Sequence, residues 1–255
     1  MPVTSDMAGI QYINITKWDK FIPFVQEVKE ASQYIWRGQS NSEWDLVSSF
    51  DRLFKNGEAK EYIEKESKRH LDRFKYVVRG KLKYDNICGK DENEMWALAQ
   101  HYGLKTPLLD WTYSPFVALF FAIHNHINKE KTVSIWGLGN INNLNRIAKE
   151  HEHGTIIRFH PKQKMNSRLI SQNGLFTRVP FGQSLNELVV LISEHNYDYA
   201  HLFKIDIKFD SNDIKNCLIF LNRMNINYYT LFPDAEGVTK FCNMAFSIPN
   251  YHRFW

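Results

Sequence analysis

The chain has 255 residues, 44% of them hydrophobic and 15% aromatic, which is ample for a packed core and excludes a disordered or low-complexity protein. A net charge of +4 permits an anionic partner such as a nucleotide or nucleic acid without demanding one. Three cysteines, Cys88, Cys217 and Cys242, show neither pairing nor metal spacing, which argues against a disulfide framework and fits a reducing cytoplasm.

Taken in chain order, Thr16 to Asp19 reads as a capping box opening a helix with Trp18, Phe21, Ile22, Val25 and Val28 on its inner face. An extended segment from Gln33 to Arg37 follows. Arg37 at the end of that strand, with Gly38 next, places a permanent cation where backbone can approach a ligand closely, an arrangement suited to a phosphate. Glu58 to Arg79 forms a charged helix with Tyr62, Ile63, Phe74 and Val77 as a sparse apolar stripe. Met95, Leu98, Ala99 and Tyr102 then fall at helical spacing, and Gly103 ends that helix.

The stretch from Gln100 to Ala122 is the densest in polar and aromatic groups. Leu108 and Leu109 open a strand that turns polar at Asp110 and Thr112, and Ser114 with Pro115 caps a helix apolar almost all round through Ile123. That helix is far shorter than the roughly 20 apolar residues needed to span a bilayer, and no membrane role is expected. Thr132 to Trp136, Thr155 to His160, Arg168 to Ser171 and Tyr199 to Phe209 read as strands, the last alternating Phe203, Ile205, Ile207 and Phe209 against a solvent-facing Lys204, Asp206 and Lys208. Ser184 with Glu187 caps a helix through Ser193, and Ser211 caps another. No Gly-rich fingerprint opens a strand-to-helix turn, so the expected class is α+β rather than doubly wound: one compact domain over residues 1–255, with a mixed or antiparallel sheet flanked by helices.

Trp36-Arg37-Gly38-Gln39, Trp44 with Leu46, Ser48-Ser49 and Arg52, the block Gln100 to Ala122, then Arg168, Gln172, Gly174 and Phe176, and Phe232-Pro233-Asp234 with Gly237 together resemble the FRG domain family, named for a Phe-Arg-Gly motif. The resemblance runs from about residue 33 to 240. Trp36 stands where the family has Phe, and Lys105 and Pro107 replace the proline and arginine of its Gly-Leu-Pro-Thr-Arg version. Many members come from bacteria and phages, which implies a toxin or phage-defence setting.

A second resemblance, to mono-ADP-ribosyltransferases, implies a split sheet and a mechanism. Arg37-Gly38, Thr112-Tyr113-Ser114 with Ala118, Phe121 and Ala122, and then Gln172 or Glu236 occupy, in the same order, the places of that family's arginine, serine motif and third catalytic position. It implies NAD as substrate, without a metal, and a protein or nucleic-acid acceptor. Breaking the nicotinamide bond builds oxocarbenium character on the ribose, so the site must hold the pyrophosphate and aim a polar or negative group at the sugar. The candidate catalytic residues are Arg37, Asp110, Gln172 and Glu236. The candidate binding residues are Arg37, Gly38, Gln39, Ser48, Arg52, His101, Tyr102, Thr112 and Ser114. A glutamine is no base, so Gln172 in the third place would leave Asp110 or Glu236 to supply the carboxylate.

Each candidate also has an architectural reading. Asp110 bridges a strand-to-helix turn or pairs with an arginine, His101 complements a helix C-terminus, and Asp234 and Glu236 cap the helix that follows Pro233. His151 and His153 lack a third ligand at regular spacing for a metal. The competing functional class is a nucleic-acid-binding or nucleolytic module, in which Arg37, Arg52, His101 and Lys105 would meet a phosphate backbone.

Overall fold

The computed structural model describes residues 3–7, 9–28, 33–55, 57–81, 91–127, 129–161, 167–195 and 201–251. Its strands are β1 (Val3–Met7), β2 (Ile10–Ile15), β3 (Ile35–Gln39), β4 (Leu109–Thr112), β5 (Lys131–Leu138), β6 (Ile157–Phe159), β7 (Gly174–Arg178) and β8 (Leu202–Phe209). The helices are α1 (Phe21–Glu27), α2 (Lys60–Val77), α3 (Glu92–His101), α4 (Pro115–Ile123), α5 (Ile141–Glu150), α6 (Ser167–Ser171), α7 (Leu185–Ser193), α8 (Ser211–Arg223), α9 (Tyr228–Leu231) and α10 (Ala235–Ser247). The class is α+β, as the residue pattern predicts. One mixed sheet of order β1-β2-β8-β5-β3-β4-β7-β6 carries all the strands, with β2 and β8 parallel and the other neighbours antiparallel.

The ladder is continuous rather than divided into two halves, yet it is weakest between β3 and β4. There a single register pair, Trp36 opposite Thr112, joins the strands, whereas β3 stays paired with β5 from Ile35 to Gln39. The strands splay at that point, which opens the middle of the sheet.

Helices cover both faces. Val117 to Ile123 of α4, Ile214 to Leu221 of α8, and Phe241 with Met244 of α10 share one core cluster with Ile205, Ile207 and Phe209, from the predicted alternation of β8. Each large side chain so buried contributes roughly 1.5–3 kcal/mol. The opposite face of the sheet receives Leu144 and Ile147 of α5 and Leu188 and Ile192 of α7. Lys204 and Asp206 therefore do not face open solvent as predicted: they are half-buried, with Lys204 over the rings of Tyr12 and Trp136 and Asp206 accepting from the Ser134 hydroxyl. Leu71 of α2 and Met95 and Trp96 of α3 close a third cluster against Leu108 and Phe176.

Local signals with their own chemistry hold. Ser114 Oγ accepts from the Val117 amide at 3.3 Å with Pro115 in the first turn, and Ser184 and Glu187 form a reciprocal capping box. Other signals fail. Thr16 to Asp19 forms no capping box: a short 3-10 turn, Trp18–Lys20, leads into α1 without a side-chain cap. Asp210 rather than Ser211 caps α8. Arg168 to Ser171 is helical, closed by Asn173 at φ 46° before β7 begins. On α2 the buried positions are Ile63, Ser67 and Leu71, while Tyr62 and Val77 face solvent. The predicted strand start at Tyr199 and Cys88 lie outside the described residues; Cys217 is buried and Cys242 exposed. Among the described residues no helix is long and apolar enough to cross a membrane.

Candidate functional site

The splay between β3 and β4, roofed by α4 and bordered by α6, leaves a cleft of about 380 Å³. Arg37 lies at the middle of β3 rather than at its end, since the strand continues through Gly38 and Gln39. Its Nη1 donates to the Asp110 carbonyl at 2.8 Å and sits 3.5 Å from Asp110 Oδ2. Its Nε is buried and has no hydrogen-bond partner. Burial pushes the guanidinium below its ordinary pKa, Asp110 pulls it back up, and the positive charge of Arg52 adds to the lowering. It nonetheless stays cationic at any physiological pH. The side chain is 19% exposed, whereas that of Asp110 is 62% exposed and faces the opening.

Asp110 is held from a second side. Gln100 Nε2, at the end of α3, donates to Asp110 Oδ1 at 2.6 Å, and the Thr106 hydroxyl donates to Gln100 Oε1. Thr112 Oγ1 donates to the Gln172 carbonyl at 2.7 Å and accepts from the Ser114 amide at 3.1 Å, so its hydroxyl is committed to the architecture of the turn. Gln172 Nε2 donates to the Leu231 carbonyl at 3.1 Å, tying the loop after α6 to α9. The rings of Phe121 and Phe232, 5.9 Å apart, line the wall together with Trp36 and Phe176.

On the opposite lip Arg168 donates through Nε to Asp234 Oδ2 at 2.6 Å and through Nη2 to Glu236 Oε2 at 2.7 Å, and lies over the Phe232 ring at 5.2 Å. The hydrogen bond to Asp234 is the main reason its pKa is raised. The carboxyls of Asp234 and Glu236 are correspondingly lowered, Asp234 chiefly by Arg168 and Glu236 chiefly by Lys240.

Of the residues predicted from sequence, Arg37, Gly38, His101, Asp110, Thr112 and Gln172 line this cleft. The other six do not. Gln39 is buried, its amide accepting from Trp136 Nε1 at 2.8 Å and donating to the Asp45 carbonyl at 3.1 Å. Ser48 is consumed by a turn with Asp51. Arg52 is exposed, and Tyr102, 56% exposed, points away with its ring edge-on to His101. Ser114 is the α4 cap, and Glu236 belongs to the first turn of α10. Gly38 has an architectural reason: a Cβ there would lie 1.9 Å from the Ala118 carbonyl oxygen, so the glycine lets α4 sit directly on β3. Among the described residues no three His, Cys, Asp or Glu side chains are grouped to hold a metal.

Two residues that line the cleft, Gln100 and Arg168, are not among the candidate site residues read from the sequence. Gln100 stands beside the more conspicuous His101, and its role depends on Thr106 across a loop. Arg168 reads as part of a strand and stands out only through the FRG resemblance. Both lie in the stretches that carry the FRG resemblance.

Residues 32–131 match the FRG domain family model. The FRG stretch contains Arg37, Gln100, Thr106 and Asp110, the hydrogen-bonded floor of the cleft, while Arg168, Gln172 and Asp234 on the far lip lie beyond it. No curated protein and no solved structure matches this chain.

Proposed function

We propose that the cleft binds NAD and breaks its nicotinamide–ribose bond, passing ADP-ribose to a protein or nucleic-acid acceptor or to water. The observation that carries this reading is a largely buried guanidinium whose contact to the neighbouring carboxylate is long, 3.5 Å, in one aromatic-walled cleft. A cation whose charge is incompletely answered by protein suits an anionic ligand group, here the pyrophosphate. Phe121 and Phe232 give the flat rings of such a ligand apolar surface. In this reaction the C1′–N bond breaks and its electron pair leaves with neutral nicotinamide. A lone pair of water or of the acceptor bonds to C1′, and the proton it sheds passes to the Asp110 carboxylate. Gln172, with its amide donated to Leu231, is a positioning group rather than a base.

Consumption of NAD would fit a toxin or phage-defence effector. The direct test is incubation with NAD and chromatography for released nicotinamide, with and without protein and nucleic-acid acceptors, alongside calorimetry with ADP-ribose. Release of nicotinamide supports the reading. Absence of both release and ADP-ribose binding, with salt-dependent binding of an oligonucleotide instead, replaces it with the nucleic-acid module.

A further inference from the structure

Asp110 is more than half exposed, yet its carboxylate is held at both oxygens, and the contact at Oδ1 belongs to a chain in which every donor direction is fixed. The Leu108 amide donates to Thr106 Oγ1 at 3.4 Å. The direction is set from the carboxylate, which can only accept: Gln100 Nε2 must face Asp110 Oδ1, to which it donates at 2.6 Å. Gln100 Oε1 then faces Thr106, so the threonine hydroxyl sends its proton to it. Thr106 itself is fully buried and cannot drift, because its amide donates to Ser49 Oγ at 3.0 Å and its carbonyl accepts from the Phe50 amide at 3.1 Å. Arg37 Nη1 holds the other carboxylate oxygen at 3.5 Å.

We infer that Gln100 and Thr106 are positioning residues, acting through a one-way hydrogen-bond relay that fixes the rotamer of the Asp110 carboxylate and turns its remaining lone pairs toward the cleft. This rests on the reading of Asp110 as the proton acceptor of an NAD-cleaving site. A carboxylate on an exposed strand residue would otherwise sample several rotamers, and a relay rooted in buried backbone removes that freedom before substrate arrives. Neither residue needs to touch the reacting atoms.

The test uses the whole chain with NAD and ADP-ribose as probes. In Thr106→Val the proton donor to Gln100 Oε1 is gone, so the Gln100 side chain loses its anchor and Asp110 Oδ1 its fixed partner. Nicotinamide release is expected to fall on the order of 10- to 100-fold in kcat, with KM little changed. Thr106→Ser keeps the hydroxyl and should stay near wild type, which controls for the packing of the buried site. Gln100→Glu can donate to Asp110 only when protonated, so its activity relative to wild type should rise as pH is lowered, a profile that mere loss of packing would not give. Unchanged kcat in Thr106→Val together with a wild-type pH profile in Gln100→Glu would overturn the relay. If the wild-type chain neither releases nicotinamide nor binds ADP-ribose, the NAD reading fails separately. Crystal structures of wild type and Thr106→Val then decide the relay alone: an Asp110 carboxylate turned from its place supports it, and an unmoved one rejects it.

Discussion

The two lips of the cleft each present an arginine to carboxylates, and they do so in opposite electrostatic styles. Arg37, enclosed by β3 and β4, has a backbone carbonyl as its short partner, one carboxylate oxygen at 3.5 Å and a buried Nε with none, and burial lowers its pKa. Arg168 is gripped by two carboxylates at 2.6 and 2.7 Å, and its pKa is raised. Compensated charge on an accessible lip is architecture, since such pairs contribute little and are screened by salt. Under-compensated charge in an enclosed site has a desolvation cost that persists only if something else uses the cation. On the proposed reading Arg37 is therefore the ligand-binding arginine and Arg168 the anchor of its loop.

The sharpest way to break that assignment is to remove each guanidinium in turn and measure ADP-ribose affinity by calorimetry. Arg37→Ala should weaken binding by roughly 30-fold or more, the scale of a charge-assisted hydrogen bond lost in an enclosed site. Arg37→Lys should recover little, because a point charge cannot keep the Asp110 carbonyl contact and also present a planar fork of donors to a phosphate. Arg168→Ala should cost less, about three- to tenfold, through loosening of α6 and loss of the stack on Phe232. Equal losses at both positions would mean that the lips act together as a two-arginine clamp.

Why these roles were only half legible in the sequence has a physical reason. Signals written within one turn of chain survive folding: Ser114-Pro115 before α4 and Ser184 with Glu187 before α7 bond to their own neighbours, and both are where local chemistry puts them. The convergence of Arg37, Asp110, Thr112 and Gln172 was legible through the resemblances that named them, although Arg37 sits in the middle of its strand and not at its end. Gln39 and Ser48 look equally available in the sequence, yet each is consumed by a tertiary partner, the Trp136 indole and the Asp51 carboxylate, that no local pattern announces. Arg168 was read within a strand because Leu169 and Ile170 are apolar; its helical turn and its grip on Asp234, 66 residues away, are decided by the packing of α6 against β7 and α9. The same holds for Gly38, whose need for a missing Cβ comes from Ala118 and not from a ligand.

Acid separates the wall behind the cleft from the acidic clamp on its lip. His124, stacked on Phe120 and hydrogen-bonded to Tyr228, is lowered to about 4 by burial first and the charge of Lys240 second. Between pH 6.5 and about 4 the unfolded chain takes up a proton that folded His124 refuses. Stability therefore falls as pH drops through that window and levels off below it, with His124 accounting for on the order of 3 kcal/mol. His126, His160 and His201 are also lowered, so the difference between wild type and His124→Gln in urea melts at pH 7 and pH 4.5 isolates this residue. The clamp behaves differently. Asp234 and Glu236 have depressed carboxyls, so their contribution is present above the unfolded carboxylate pKa and is lost only as pH falls below about 4. A His124→Gln protein that loses as much stability as wild type between pH 7 and pH 4.5 would place the acid sensitivity elsewhere.

The smallest effect should come from Glu236, which tests how far the compensation of Arg168 is redundant. Glu236 is half exposed and shares its carboxylate between Arg168 Nη2 at 2.7 Å and Lys240 at 2.6 Å. Its removal leaves Arg168 Nε on Asp234, and the guanidinium still rests on the Phe232 ring. Asp234 meanwhile continues to cap α10 through Oδ1 at the Gly237 amide. Glu236→Ala should therefore change ADP-ribose affinity and nicotinamide release by no more than about threefold and leave the melting temperature nearly unchanged, with any residual effect disappearing at high salt. Asp234→Ala should be worse on both counts, because that one carboxylate serves both Arg168 and the start of α10. An inactive but fully stable Glu236→Ala protein would reverse the assignment: the catalytic carboxylate would lie on α10, and the Arg37 lip would be left with binding alone.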